Sequence, residues 1–195
     1  MVKKEAYKIY LFRHGQSKYN ESKRFTGWLD IGLTKKGISQ AKVIAKKLKN
    51  KKIDIAFQTR LSRSKDTLKY VLKYHPECKE IITDNRMIER SYGKLEGKYH
   101  KTIIKKYGKK QFDIWHRSFN MALPKGESIK QVEKRVLSFI KDLIKFIKKN
   151  KVNVAISAHG NSMRPFRKYF EKLTIKQMLR LENPYDNYFE YTIKV

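Results

Sequence analysis

The stretch Ile9-Tyr10-Leu11-Phe12-Arg13-His14-Gly15-Gln16-Ser17 changes from apolar to polar within one residue. Such a run is typical of a buried strand, and its abrupt end indicates that the strand delivers polar groups to a crevice. In open parallel sheets, ligands lie at the carboxyl ends of the strands. His14 can act as a nucleophile at neutral pH, Arg13 can bind a phosphate in a forked manner, and Gly15 permits close backbone approach. Taken alone, a half-buried histidine at a strand end explains these three residues equally well.

A second apolar run near the other end of the chain has the same ending. Residues 152–158 read as a strand, and His159 and Gly160 follow it directly. Two histidines that each close a strand can meet if the strands are adjacent and parallel. The pair therefore favours a site over a chance arrangement.

The remaining pattern alternates strands with helices. Strands are predicted at 7–12, 53–57, 81–82, 152–158 and 188–195, the last at an edge. Helices are predicted at 61–74, at 100–119 with a break at Gly108, at 160–170, and from Thr174 to Leu181. Another helix is predicted to begin at the cap Thr34, and a long amphipathic helix is predicted to end at Lys149. The segment 16–33 has little periodicity and reads as a binding loop. We therefore predict one domain over residues 1–195, a three-layer α/β/α sandwich with a mostly parallel central sheet.

Composition narrows the class of protein. The 195 residues include no apolar run of roughly 18, the length that spans a bilayer, and the N-terminus has no signal-peptide core. The single cysteine, Cys78, lies in a predicted loop and is interpreted as structural, and a cytoplasmic location is expected. With 47 basic and 18 acidic residues the net charge is +29, so nucleic acid must be considered as a partner. The lysines are spread along predicted solvent faces, as in Lys46-Lys47, Lys105-Lys106 and Lys148-Lys149, which favours a generally anion-attracting surface.

Several motifs together resemble those of one family. They are Arg13-His14-Gly15-Gln16-Ser17 with Asn20, Arg24-Phe25-Thr26-Gly27-Trp28, Leu61-Ser62-Arg63, Glu89-Arg90-Ser91-Tyr92-Gly93, Trp115-His116-Arg117, and Ala158-His159-Gly160-Asn161-Ser162-Met163-Arg164. In this order they closely resemble the histidine phosphatase superfamily, and within it the cofactor-dependent phosphoglycerate mutases. The resemblance covers most of the chain and implies a phosphoglycerate mutase-like fold.

The resemblance also implies an activity and a role for each residue. The activity is interconversion of 3-phosphoglycerate and 2-phosphoglycerate in glycolysis and gluconeogenesis, with 2,3-bisphosphoglycerate as intermediate and phosphorylating primer and with no metal. His14 would be the nucleophile, and Arg13, Arg63 and His159 would hold the transferring phosphoryl group. Glu89, which follows an apolar pair and is expected to be half buried, would transfer the proton. The substrate would be bound by Asn20, Thr26, Gly27, Arg90, Tyr92, Arg117, Gly160 and Asn161, together with His100 and His116.

The last two residues depart from the family. His116 stands where the mutases usually have a second arginine, and His100 where they usually have a lysine. We expect weaker substrate binding, with the loss growing as pH rises above about 6.5. The segment 119–127 is brief and the chain ends at Val195, where many relatives carry an insertion and a mobile tail. We therefore expect a more open site, from which more of the phosphoryl group is lost to water as phosphatase activity. The protein is expected to be a monomer or homodimer.

Two other functions stay open. A phosphatase of the same superfamily, acting on small phosphorylated metabolites, would pass the phosphoryl group to water. A nucleic-acid-binding module would use the charge of +29 but would leave the paired His-Gly strand ends unexplained. No specific nucleic-acid or membrane partner is expected, and small phosphoglycerates are the predicted ligands.

Overall fold

The structure, a computed structural model, describes residues 5–195 and contains a five-stranded sheet. The strands are β1 (Ala6–Arg13), β2 (Ile55–Gln58), β3 (Glu80–Thr83), β4 (Val154–Ala158) and β5 (Tyr188–Lys194). Their spatial order is β3-β2-β4-β1-β5, and only β5 is antiparallel to its neighbour. The predicted mostly parallel sheet and the edge position of the last strand are confirmed, and the structure adds that this edge strand is antiparallel.

Seven α-helices in the described residues accompany the sheet. They are α1 (Lys18–Glu21), α2 (Lys35–Leu48), α3 (Ser62–Leu72), α4 (His100–Arg117), α5 (Ile129–Asn150), α6 (Gly160–Glu171) and α7 (Ile175–Arg180). The break predicted at Gly108 is present, since this residue has a φ of 80° within α4. Helix α1 is a single turn inside the stretch that was predicted to be an irregular binding loop. Its cap Ser17 bonds reciprocally with Asn20, a local signal too short for periodicity to reveal.

The sheet separates two layers of helices, because alternate side chains of each strand point to opposite faces. In β1, Ile9 and Leu11 pack in the cluster with α5 and α6, whereas Tyr10 and Phe12 pack in the cluster with α2 and α3. Helix α5 buries an apolar face that includes Val132, Val136, Phe139, Ile140, Leu143 and Ile147, and its N-terminus is capped by Ser128. The predicted three-layer α/β/α sandwich is confirmed.

A third apolar cluster lies at the carboxyl end of the sheet and supports the site. It contains Phe25, Tyr92, Leu95, Ile103, Phe112 and Leu123. The loop after β1 is fixed against α2 by two glycines, since a Cβ on Gly15 would lie 2.1 Å from the carbonyl oxygen of Gly37. A side chain at either position would push the loop that carries His14 away from its support.

Two expectations depend in part on residues 1–4, which lie outside the described residues. These are the absence of a signal-peptide core and a single domain spanning 1–195. Within residues 5–195, no helix combines the length and the apolarity that crossing a membrane requires. The lysines at 46–47, 105–106 and 148–149 are exposed, as their interpretation as solvent-facing residues predicted.

Candidate active site

Two histidines meet at the carboxyl ends of the central strands. Because β1 and β4 are adjacent and parallel, with Arg13 opposite Ala158, His14 and His159 follow neighbouring strand ends. Their ring centroids are 4.9 Å apart, and each residue is at most 2% exposed. The convergence that the paired His-Gly endings predicted is therefore present in the fold.

His14 is held as a neutral imidazole with one free nitrogen. Its Nδ1 donates a hydrogen bond of 2.7 Å to the carbonyl oxygen of Gly15, which leaves the proton on Nδ1 and a lone pair on Nε2. Burial, and then the charges of Arg63 and Arg13, hold the pKa of His14 well below its ordinary value of 6.5. The ring is consequently uncharged at neutral pH, with its one proton on Nδ1, and can attack through Nε2.

His159 is bound on one side and free on the other. Thr59, which is the first residue after β2, places its Oγ1 2.8 Å from Nε2 of His159. The Nδ1 atom is buried and has no hydrogen-bond partner among residues 5–195. Burial, followed by the charge of Arg63, holds the pKa of His159 well below 6.5. A buried Nδ1 atom without a protein partner is suited to form a hydrogen bond with a bound ligand.

Two guanidinium groups bring positive charge to the histidines. Arg63, in the first turn of α3, is 1% exposed and donates to the carbonyl oxygens of Leu29 and Gly27 at 2.8 Å each. Burial lowers the pKa of Arg63 to about 10, so it stays cationic at neutral pH. Arg13 donates to the carbonyl oxygen of Asn183, and its guanidinium lies 4.0 Å from the centre of the Tyr185 ring. The Nε atoms of Arg13 and Arg63 are buried and have no partner among the described residues.

Glu89 is more buried than the expected half, at 7% exposure. Its Oε1 accepts hydrogen bonds from the backbone N–H groups of Arg90 and Asn161, at 2.8 and 3.2 Å. Its Oε2 makes no hydrogen bond to residues 5–195, and the ligand atoms of Glu89, His14 and His159 lie within 4.8 Å of one another. The segment is held from behind by Trp28 and Arg135, which both donate to the carbonyl oxygen of Glu89. A carboxylate fixed at one oxygen and free at the other can carry a proton to a substrate atom.

These groups surround an open cavity of about 720 Å³. Most residues predicted for the site line it, namely Arg13, His14, Asn20, Thr26, Gly27, Arg63, Glu89, Tyr92, His100, His116, Gly160 and Asn161. His159 adjoins the cavity through its contact with the His14 ring. A volume of this size is in the usual range for small-molecule sites.

Two predicted substrate-binding residues do not line this cavity. Arg90 is fully buried and donates to the carbonyl oxygens of Glu127, His116 and Met121, so its guanidinium serves the surrounding backbone. Arg117 is the last residue of α4 and is exposed. The structure thus brings together all the predicted site residues except these two arginines.

His100 and His116 line the part of the cavity that borders the third apolar cluster, where both rings lie near the Phe25 ring. The His116 ring stacks on Phe112 at 5.3 Å and lies 5.7 Å from the His100 ring. Burial, with smaller contributions from His100 and nearby arginines, lowers the pKa of His116 to about 4, and burial also lowers the pKa of His100. The expected loss of affinity above pH 6.5 therefore has the wrong pH range, because both rings are already neutral there.

The sequence prediction missed several residues of this site. Thr59 lies just beyond the predicted strand 53–57 and was given no role, although the carboxyl end of a parallel strand is where ligands lie. Arg164 lies within the motif after β4 and lines the cavity, as do Lys23, Asn183 and Tyr185. Asn183 donates to the carbonyl oxygen of Gly160, an interaction between distant segments that sequence spacing does not reveal.

Within residues 5–195, the group of side chains that could ligate a metal is His14, Glu89 and His159. However, positive charge from Arg13 and Arg63 acts on both histidines. The unpartnered buried atoms at the site include Arg13 Nε, Arg63 Nε and Thr26 Oγ1. Nitrogen and hydroxyl donors of this kind match phosphate oxygens, so the site fits a phosphate-bearing anion better than a cation.

Comparison with known proteins agrees with this architecture. The model of the histidine phosphatase superfamily (branch 1) matches residues 9–193. A phosphoglycerate mutase from Schizosaccharomyces pombe is 39% identical over 178 residues, covering 89% of this chain and 84% of that protein. A 2,3-bisphosphoglycerate-dependent phosphoglycerate mutase from Chlamydia felis is 33% identical over 202 residues, covering 90% of this chain and 89% of that protein.

A solved structure has a similar fold. It is a mycobacterial glucosyl-3-phosphoglycerate phosphatase with a TM-score of 0.82 and 22% identity, covering 96% of this chain and 91% of that one. At this identity, the likeness shows the fold alone. With the family match along almost the whole sequence, the chain belongs to the histidine phosphatase superfamily.

Proposed function

We propose that the protein is a 2,3-bisphosphoglycerate-dependent phosphoglycerate mutase that interconverts 3-phosphoglycerate and 2-phosphoglycerate. The observation that carries this proposal is the hydrogen bond from His14 Nδ1 to the Gly15 carbonyl oxygen, which leaves Nε2 free beside two guanidinium groups. The relatives described as mutases, at 33% and 39% identity, support the choice of substrate.

The chemistry follows from these positions. In the primed enzyme His14 carries a phosphoryl group on Nε2; the free hydroxyl of the bound phosphoglycerate gives its proton to Glu89 and takes this group, so the bond from phosphorus to Nε2 breaks. His14 Nε2 then attacks the phosphorus of the substrate's other phosphate, the bond from that phosphorus to its substrate oxygen breaks, and Glu89 returns the proton to the departing oxygen. Arg13, Arg63 and the Nδ1 of His159 stabilise the charge on the transferring group. 2,3-Bisphosphoglycerate, when bound, supplies the phosphoryl group that primes the enzyme.

Substrate contacts are assigned from the cavity lining. Asn20, Gly160 and Asn161 complete the phosphate end. Thr26, Gly27, Tyr92, His100 and His116 face the glycerate end. Arg90 and Arg117 are left out of this assignment, since neither lines the cavity.

A phosphatase of small phosphorylated metabolites is the second candidate, and one observation favours it. His100 and His116 are neutral at pH 7, so the glycerate end has less positive charge than a mutase of the usual pattern. A weakly held substrate leaves sooner, and water can then take the phosphoryl group from His14.

One experiment separates the two candidates. The protein is incubated with 3-phosphoglycerate, with and without 2,3-bisphosphoglycerate, and 2-phosphoglycerate and inorganic phosphate are measured together. A mutase forms 2-phosphoglycerate with little phosphate and is accelerated by the bisphosphate, whereas a phosphatase releases phosphate steadily. A His14→Ala variant of unchanged thermal stability must lose both activities, and an active variant would refute the mechanism.

A further inference from the structure

Arg164 is a cavity-lining cation with no role in the chemistry described so far. It lies in the second turn of α6, and its Nε donates to the carbonyl oxygen of Leu181 at 3.2 Å. Its Nη1 donates to Oδ1 of Asn161, also at 3.2 Å. The Nη2 atom makes no hydrogen bond to residues 5–195 of the chain. The guanidinium is thus fixed by two bonds and keeps a free edge.

Asn161 connects this guanidinium to the proton-transfer group. The backbone N–H of Asn161 donates to Oε1 of Glu89, and its Nδ2 donates to the hydroxyl of Tyr92 at 3.1 Å. Both Asn161 and Tyr92 are less than 10% exposed. Arg164 therefore has a defined position relative to Glu89, at which the reacting substrate oxygen would lie. The carboxylate of a phosphoglycerate is bonded to the carbon that carries the 2-oxygen, so it would also lie near Glu89.

The other cations near the cavity are poor candidates for binding this carboxylate. Arg13 and Arg63 lie beside His14, where the phosphoryl group is transferred. Arg24 is taken up by Tyr99, to whose hydroxyl it donates and over whose ring its guanidinium lies at 3.9 Å. Lys23 is exposed, and an exposed lysine loses much side-chain entropy when it is held in one geometry. A fixed guanidinium with a free edge loses less.

Resting on the proposed function, we propose that Arg164 binds the carboxylate of the substrate and sets the preference for phosphoglycerates over phosphate esters without a carboxylate. In this assignment Arg164 does the work that His100 and His116, as neutral imidazoles, cannot do by charge. A neutral imidazole donates one hydrogen bond and can hold a substrate hydroxyl.

The test compares ligands that differ at one group. Glycerol 3-phosphate has a hydroxymethyl group where 3-phosphoglycerate has its carboxylate, and inorganic phosphate has neither. Equilibrium binding of all three is measured by titration calorimetry. In Arg164→Gln the affinity for 3-phosphoglycerate should fall about 10- to 100-fold, as expected for a lost charge-assisted bond. The affinities for glycerol 3-phosphate and inorganic phosphate should change less than about threefold, the scale of a distant surface charge.

Two further variants complete the design. Arg164→Lys, which keeps the charge, should recover part of the affinity for 3-phosphoglycerate. Arg180→Gln removes the same charge from an exposed position at the end of α7 and should leave all three affinities unchanged.

Three results would overturn the proposal. One is an equal loss for all three ligands in Arg164→Gln, which would make Arg164 a structural or phosphate-binding residue. Another is an unchanged ratio between 3-phosphoglycerate and glycerol 3-phosphate. A third is loss of that ratio in Arg117→Gln but not in Arg164→Gln. Because binding needs no turnover, absence of mutase activity would refute the proposed function and leave this comparison intact.

Discussion

The hydrogen bond between Thr59 and His159 offers a direct test of how the second histidine works. Both residues are fully buried, and Thr59 Oγ1 is the only hydrogen-bond partner of the ring among the described residues. If the hydroxyl donates to Nε2, the ring proton must lie on Nδ1, where it can donate to a phosphoryl oxygen. Thr59→Val removes the hydroxyl and keeps nearly the same volume.

The expected losses follow from burial. Leaving Nε2 without a partner should lower the free energy of unfolding by about 1–3 kcal/mol. For a chain of this size that corresponds to a fall in melting temperature of roughly 2–12 °C. Without its partner, the ring is free to carry its proton on Nε2, which turns a lone pair toward the phosphoryl group. The turnover number should therefore fall about 10- to 100-fold, the range expected for one misdirected donor.

Thr59→Ser is the matched control, because it keeps the hydroxyl and should keep most of the activity. The tautomer is read from two-bond proton–nitrogen correlations of the histidine rings, and the turnover number is measured where all variants are folded. A Thr59→Val protein with undiminished turnover and a proton still on Nδ1 of His159 would refute the reasoning.

Four more predictions concern stability in acid, the pH dependence of binding, and two loop contacts. Because His116 has a folded-state pKa of about 4 against 6.5 when unfolded, its contribution to stability is complete above pH 6.5 and is lost as pH falls toward 4. The free energy of unfolding should fall by on the order of 3 kcal/mol over this range. Denaturant titrations at pH 7 and 4.5 should show a smaller fall in His116→Gln than in the wild type. For the same reason, the affinity for 3-phosphoglycerate should have parallel pH profiles from 6 to 8 in the wild type and in His116→Arg; a step near 6.5 in the wild type alone would contradict this. Glu96→Ala removes an acceptor shared by two backbone N–H groups and a hydroxyl. It should therefore lower the free energy of unfolding by about 1.5–3 kcal/mol and raise KM. An unchanged denaturation curve would count against Glu96 as the acceptor that holds this loop. Gly37→Ala would place a methyl group 2.1 Å from the carbonyl oxygen of Gln16. The free energy of unfolding should therefore fall by at least about 1 kcal/mol. A variant as stable as the wild type would disprove the close contact.

The sequence could predict the sheet and the meeting of the two histidines because both depend on local pattern. Apolar runs that end in His-Gly identify strands and their carboxyl ends, and parallel strands bring those ends to one edge. The alternation of strands and helices then predicts the three layers. These features need no knowledge of distant contacts.

The rest of the site depends on contacts between segments that are far apart in sequence. The pairing of Thr59 with His159 follows from β2 and β4 being neighbours in the sheet. Arg90 is turned toward backbone carbonyls of the 116–127 segment, although its position in the motif predicted a substrate contact. The low pKa of His116 results from burial against Phe112, which helix periodicity alone does not determine.

The position of β4 has a consequence for how the protein is made. This strand is fourth along the chain but lies at the centre of the sheet, between β2 and β1. During synthesis, β1 and β2 therefore cannot be joined in the sheet until β4 has left the ribosome. Such late pairing between segments far apart in sequence is slow. Since β4 leads directly into His159, the step that fills this gap also brings the second histidine to the first. A nascent chain truncated before residue 154 should be both incompletely folded and chemically silent.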